Sequence, residues 1–376
     1  MAYKLAIPSF SLGRVAAGHS FVAKMDAAKK YGYKGIELAI EDLVAVADEL
    51  SGTAPTSGGP SQKAQLDAAR HMGAVCDERG LEIVCLQPFS QYDGLIDREE
   101  HVRRLEELTF WFQLAKELGT DLIQVPANFL PEHLVTDNID LIVNDLIEIA
   151  DMGLRQNPPI RFAYENLCWS TRVYTWDKCW EIVERVNRDN FGILLDTYNI
   201  AGYVYADPTA PTGLTYQAVL AMRESIARLV ARVDPDKIFY VQVVDAARLD
   251  EPLVPGHPFY NPEQPARMSW SRNCRLFYGE TDRGAYLPVT DICWAIFRCL
   301  GYKGYVSLEL FNRRMNDSDP VVPEELAARG YVSWYKLQHD MGFRKKRESK
   351  RDKFKAAVRK AIMCLRGFGK RSEDKA

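Results

Sequence analysis

The amino-acid sequence predicts an α/β protein folded as a single (β/α)8 barrel, and two observations lead there. Short apolar runs rich in β-branched and aromatic residues recur along the chain, and the stretches between them carry helical periodicity. The runs are continuously apolar, as parallel strands buried on both faces require, and the spacers are long enough for crossover helices. Length does not decide the matter. A chain of 376 residues could hold two average domains, yet barrels of about 250 residues form one core.

Taken in order, the strands are expected at Lys4–Ser9, Gly35–Ile40, Leu81–Phe89, Leu122–Ala127, Ile160–Asn166, Phe191–Thr197, Ile238–Ala246 and Tyr305–Phe311. Leu105–Leu118, Leu141–Gly153 and Val173–Val186 read as helices between them. A weak internal echo supports the repeat: Tyr31-Gly32-Tyr33-Lys34-Gly35-Ile36-Glu37-Leu38 resembles Gly301-Tyr302-Lys303-Gly304-Tyr305 leading to Leu308-Glu309-Leu310, with glycine where a helix gives way to a strand. The run Thr53–Ser61 reads as a loop joining two helices of the second unit. Arg248–Leu287, with Pro252, Pro255, Pro258, Pro262 and Pro265, is too long for an ordinary connection and suggests a lid after the seventh strand. Past Phe311 the barrel is complete. The expected division is residues 1–315 for the catalytic barrel and 316–376 for a helical, basic extension, in which 344–371 set Arg344, Lys345, Lys346, Arg347, Lys350 and Arg351 around Val358, Ile362 and Leu365.

Composition narrows the function. With 47% hydrophobic and 26% charged residues, the chain can bury a large core without disulfides. A net charge of −3 argues against a protein built around nucleic acid, which usually requires a cationic surplus. The eight cysteines form no CxxC pair, and no apolar run reaches 18 residues, so the expectation is a cytoplasmic enzyme with reduced thiols and no membrane span.

The chemistry is expected at the C-terminal ends of the strands. Four polar residues interrupt apolar runs there: Glu165 closes Arg161-Phe162-Ala163-Tyr164-Glu165, Asp196 closes Gly192-Ile193-Leu194-Leu195-Asp196, Gln242 lies inside Phe239–Val244, and Glu309 lies inside Val306–Leu310. One such carboxylate could be a structural hydrogen-bonding group. Three converging on one barrel mouth would repel strongly unless a cation neutralised them. An all-oxygen set, with the Gln242 carbonyl turned inward, suits Mg²⁺ or Mn²⁺, with Co²⁺ or Zn²⁺ as alternatives. The chain has six histidines, few of them near strand ends, which speaks against a multi-histidine zinc cluster. A cation held this way can clamp a ketone and an adjacent hydroxyl and stabilise an enediolate, a start shared by isomerisation, epimerisation and dehydration.

Strands ending in Glu, Asp, Gln and Glu resemble the sugar isomerase/epimerase-like barrels that include xylose isomerase. More specifically, Ile7-Pro8-Ser9-Phe10-Ser11-Leu12-Gly13, Ala17-Gly18-His19-Ser20, Tyr31–Leu38 with Glu41-Asp42-Leu43, Leu86-Gln87-Pro88-Phe89, Val241–Ala246 and Pro252–Pro258 resemble the fungal 3-dehydroshikimate dehydratases of quinate catabolism, over roughly residues 4–311. The resemblance implies conversion of the small molecule 3-dehydroshikimate to protocatechuate with loss of water, and a divalent metal on Glu165, Asp196, Gln242 and Glu309. A metal-dependent keto-sugar isomerase or epimerase, and a non-catalytic metabolite-binding barrel, are the alternatives.

The general base is less legible. Bacterial relatives place histidine three residues after the aspartate ligand, where this chain has Asn199, and another type places it two after the first glutamate, where this chain has Leu167. His257 on the long loop is the expected acid or base, with Tyr198 as a substitute. Arg272 and Arg275, with Arg248 and Arg267 behind them, could hold the substrate carboxylate. Gln87, Ser90 and Asn199 are expected to face the substrate.

Overall fold

The structure, a computed structural model, describes residues 3–52 and 59–343. Its strands are β1 (Lys4–Pro8), β2 (Gly35–Ala39), β3 (Glu82–Gln87), β4 (Leu122–Pro126), β5 (Arg161–Glu165), β6 (Phe191–Asp196), β7 (Ile238–Gln242), β8 (Asp245–Ala246), β9 (Arg275–Leu276) and β10 (Tyr305–Ser307). Eight of them form a closed parallel barrel in the order β1-β10-β7-β6-β5-β4-β3-β2, and β8 and β9 make a separate antiparallel ribbon. Ala6, Cys85, Leu122, Ala163, Leu194 and Tyr240 pack the barrel axis. Burial of a leucine such as Leu122 or Leu194 contributes roughly 1.5–3 kcal/mol. The filled axis leaves the strand ends as the place for a site.

All eight expected strands are present; each ends before its apolar run does, the seventh and eighth well short of it. The seventh stops at Gln242 because Thr197 Oγ1 accepts from Val244 N at 2.9 Å and donates to Val244 O at 2.7 Å, drawing the backbone off the barrel. Asp245 and Ala246 then pair with Leu276 and Arg275 in the ribbon. The eighth has its last ladder pair at Ser307. Leu308 N still reaches Ala6 O, but Leu310 N turns back to Leu308 O, so Glu309 lies just past the strand rather than inside it.

Several helices begin where side-chain caps, rather than apolar periodicity, dictate. The Asp97 side chain accepts from Glu99 N and Glu100 N, so that helix runs Arg98–Leu118 and ends at Gly119 in the left-handed region, φ 75°. Asn138 caps Ile139–Leu154, and Thr175 caps Trp176–Val186, three residues later than expected. Helices Ile40–Ser51 and Gln62–Asp77 flank the loop predicted at Thr53–Ser61, of which residues 53–58 lie outside the described residues. The Arg248–Leu287 segment contains helix Ala266–Cys274 and β9.

Contacts divide the chain into a compact unit Met1–Leu337 and a second unit Gln338–Ala376, of which only residues 338–343 are described. Helix Val322–Asp340 starts in the first unit, where Tyr33 OH donates to Ala327 O and Arg329 pairs with Glu280. The basic stretch expected at 344–371 lies outside the described residues. Among those described, no helix is long and apolar enough to cross a membrane.

Candidate active site

A cavity of about 650 Å³ opens at the C-terminal ends of the barrel strands, with Glu165, Glu309, Gln87, Gln124, Ser90 and Arg275 among its lining residues. Glu165, Asp196 and Gln242 are the last residues of β5, β6 and β7. Parallel pairing puts Asp196 beside Gln242. One oxygen each from Glu165, Asp196 and Glu309 lies within 4.8 Å of the others, and all three side chains are buried.

Every carboxylate in this cluster is already engaged. Asp196 Oδ1 accepts from Tyr198 N at 2.8 Å, and its Oδ2 accepts from Asn199 Nδ2 at 2.8 Å and Arg275 Nη1 at 2.9 Å. The same Arg275 nitrogen donates to Glu309 Oε2 at 2.9 Å. Glu165 accepts from Asn199 Nδ2 at 2.8 Å and from Gln124 Nε2. Arg275 is held from behind by Ser271 Oγ and lies 4.2 Å from the Tyr198 ring centroid.

Burial pushes these acids above their ordinary range. Glu309 rises to about 8, with burial the main cause and Arg275 opposing it. Glu165 is raised by burial first and then by the charges of Glu309 and Asp196, and Asp196 is raised by burial against Arg275. One guanidinium therefore serves a site that contains three acids.

The donor set fits a hard divalent cation on two counts. Three carboxylates converge beyond what one arginine can neutralise. Gln242 spends its Nε2 on Glu37 at 2.9 Å, while its buried Oε1 has no hydrogen-bond partner. An orphaned amide oxygen next to three acids is a ready oxygen ligand.

The other expected residues divide between two places. Gln87, Ser90, Arg272 and Arg275 line the barrel-mouth cavity. Asn199 is buried beneath it, bridging Glu165 and Asp196. Tyr198 is also buried, and its hydroxyl donates to Arg267 O at 3.2 Å. Arg267 in turn donates to Gly202 O and Ala206 O. His257 and Arg248 line a different cavity, of about 1170 Å³, beside Asp250, Arg283 and Arg313. There His257 Nδ1 accepts from Phe259 N at 3.0 Å. The structure does not bring His257 or Arg248 to the acid cluster.

Three residues that the sequence reading passed over belong to the site. Glu37, at the third position of β2, accepts from Gln87 Nε2 at 2.8 Å, Tyr240 OH at 2.9 Å and Gln242 Nε2, and burial pushes its carboxyl up to about 7. It interrupts Ile36-Glu37-Leu38 just as the other acids interrupt their strands, so the signal was there. Gln124 interrupts Ile123–Val125 likewise. Arg14 lines the cavity from the loop after β1, and nothing in its local sequence marks it.

With this geometry established, the chain belongs to the xylose isomerase-like TIM-barrel family, whose model matches residues 25–337. Within it the chain stands with the 3-dehydroshikimate dehydratases: it is 64% identical to the protein of that name from Neurospora crassa over 341 residues, 91% of this chain and 95% of that one. A 3-dehydroshikimate dehydratase of Pseudomonas aeruginosa is 28% identical over 305 residues, 80% of this chain but only 38% of that longer protein. Among solved structures, the IOLI protein with a bound zinc atom superposes with a TM-score of 0.64 at 16% identity, covering 89% of this chain and 97% of that one, a likeness of fold.

Proposed function

We propose that the chain is a 3-dehydroshikimate dehydratase, a hydro-lyase that forms protocatechuate at the barrel mouth. The observation that carries the reading is the convergence of Glu165, Asp196, Glu309 and the unpartnered Gln242 oxygen beside one cavity, in a chain 64% identical to a named dehydratase over nearly its whole length.

Those four residues would hold one divalent cation, with Mg²⁺ or Mn²⁺ favoured by the all-oxygen donors. Once held there, it would supply Lewis acidity toward the substrate's ketone and neighbouring hydroxyl, making the hydrogen on C4 easier to remove. Removal of that hydrogen and its return to the departing C5 hydroxyl would release water, and transfer of a C6 proton to the C3 oxygen would complete the aromatic ring.

The protein's own groups bind and orient. Gln87 and Ser90 border the cavity where ring hydroxyls would lie, and Phe10, Phe129, Trp169 and Phe311 supply apolar wall. Asn199 fixes Glu165 and Asp196 relative to one another. Tyr198 backs Arg275. For His257 to take or give a proton, the proline-rich loop that carries it must swing from the neighbouring cavity to the barrel mouth. The seven described cysteines form no disulfide, which supports a cytoplasmic enzyme.

The test is absorbance spectroscopy of 3-dehydroshikimate with purified protein, EDTA-stripped and then resupplied with Mg²⁺ or Mn²⁺. Metal-dependent appearance of protocatechuate is the expected result. No product with any divalent metal overturns the proposal and turns attention to keto-sugar isomerisation.

A further inference from the structure

The dehydratase reading demands a seat for a carboxylate, and the charge of Arg275 is already taken up by two acids of the cluster. Its Nη1 is committed to Asp196 and Glu309, its Nε to Ser271, and its side chain is buried. Arg248 faces the other cavity. Two guanidiniums remain on the wall of the barrel-mouth cavity, Arg14 and Arg272. Resting on that reading, we propose that Arg14 and Arg272 together form the carboxylate seat and set the enzyme's preference for a substrate bearing one carboxylate.

Each arginine uses one nitrogen to fix its own orientation. Arg14 gives Nη1 to both oxygens of Glu41, at 2.6 and 2.7 Å, and its guanidinium lies 4.9 Å from the Phe10 ring centroid and 5.4 Å from that of Phe311. Its backbone N–H is tied to Met315 O at 2.9 Å. Gly13 makes this course possible, with φ +121° and no room for a Cβ, which would come within 2.6 Å of the His19 ring. Arg272, on helix Ala266–Cys274, gives Nη1 to Gln264 Oε1 at 2.6 Å. Nε and Nη2 of both residues make no hydrogen bond within the described protein.

Charge completes the case. Arg272 pairs with no carboxylate among the described residues, and Glu41 is already shared with Arg14. Burial, and secondarily the charge of Arg14, hold the Arg272 guanidinium below its ordinary value, so the two cations feel one another. A carboxylate between them would relieve that repulsion and accept charge-assisted hydrogen bonds from groups already oriented. Neither arginine bonds to the acids of the cluster although both line one cavity with Glu165 and Glu309, so a substrate can present its ketone to the acids and its carboxylate to the arginines.

The experiment compares binding of shikimate, which has the carboxylate but no ketone, with its methyl ester, by calorimetry on wild-type, Arg14→Gln and Arg272→Gln proteins. The acid should bind the wild type at least about tenfold more tightly than the ester, and either substitution should bring that ratio close to one. With 3-dehydroshikimate, KM should rise about 10–100-fold while kcat changes less than about threefold, the mark of lost ground-state binding. Arg14→Lys, which keeps a cation beside Glu41, should restore part of the ratio. If Arg14→Gln fails to fold, Arg272→Gln decides alone. An unchanged acid-to-ester ratio in folded variants overturns the seat, as does equal binding of acid and ester by the wild type. If the wild type discriminates and the variants do not, yet no protocatechuate forms, the seat stands and the dehydratase reading falls.

Discussion

Two clusters of acids in this chain satisfy the same geometric test and are chemically unlike. His101, Asp145 and Glu148 lie on helices outside the barrel, and Glu165, Asp196 and Glu309 lie at its mouth, each trio with ligand atoms within 4.8 Å of one another. In the outer trio Arg98 donates to both oxygens of Asp145, Gly94 N adds a further bond, His101 pairs with Glu148, and the Glu148 side chain is 47% exposed. Asp145 is matched by Arg98, Glu148 is partly exposed, and the hydrogen bonds tie the loop after β3 to the helix layer. The inner trio is wholly buried, shares one arginine, and borders a cavity. Proximity of acids is common to both. Uncompensated charge facing a cavity is what distinguishes a cation site from a structural knot.

The largest effect should come from Glu165→Ala or Glu309→Ala. Each should remove the bound metal and lower kcat/KM by about a thousandfold or more, checked by metal analysis alongside the product assay. His257→Gln should slow kcat by about a hundredfold with metal content intact if the loop delivers it; an unchanged kcat would confine His257 to its own cavity. Asp145→Asn should leave metal content and kcat/KM unchanged while costing about 1–3 kcal/mol in denaturant unfolding, and a loss of metal there would break the comparison.

A smaller effect concerns Asp93, which lies between the clusters in kind: buried, hydrogen-bonded by Tyr164 OH and Asn128 N, and pushed by burial from 3.8 up to about 7. A raised carboxyl pKa means the folded chain binds the proton more tightly than the unfolded one. Stability should therefore fall as pH rises through the window from about 4 to about 7. Asp93→Asn should lack that fall, so its stability relative to wild type should improve between about pH 5 and about pH 8 in urea melts. The smallest effect is expected from truncation after Arg344, which should leave the melting temperature of the barrel and its turnover unchanged.

The strands and the four proposed ligand positions were legible because burial on both faces makes a polar residue conspicuous. Glu165 in Phe162–Glu165 and Asp196 in Ile193–Asp196 stand out with no knowledge of their partners. Glu37 and Gln124 carried the same mark. Helix starts were less legible, since Asp97 begins its helix seven residues before the expected Leu105 through two side-chain hydrogen bonds. Choosing among the arginines was beyond sequence, because Arg248, Arg272 and Arg275 share one segment while the fold sends them to a neighbouring cavity, the cavity wall and the acid cluster. Arg14 reaches the same wall from more than 250 residues away in the chain, a proximity that only closure of β1 against β10 creates.

The most direct test of the distinction between the clusters is equilibrium dialysis of metal-free wild-type, Glu309→Ala and Asp145→Asn proteins against Mn²⁺. One tightly held ion per chain is expected in the wild type and in Asp145→Asn, and none in Glu309→Ala. An ion retained by Glu309→Ala and lost from Asp145→Asn would place the metal in the helix layer and contradict its assignment to the barrel mouth.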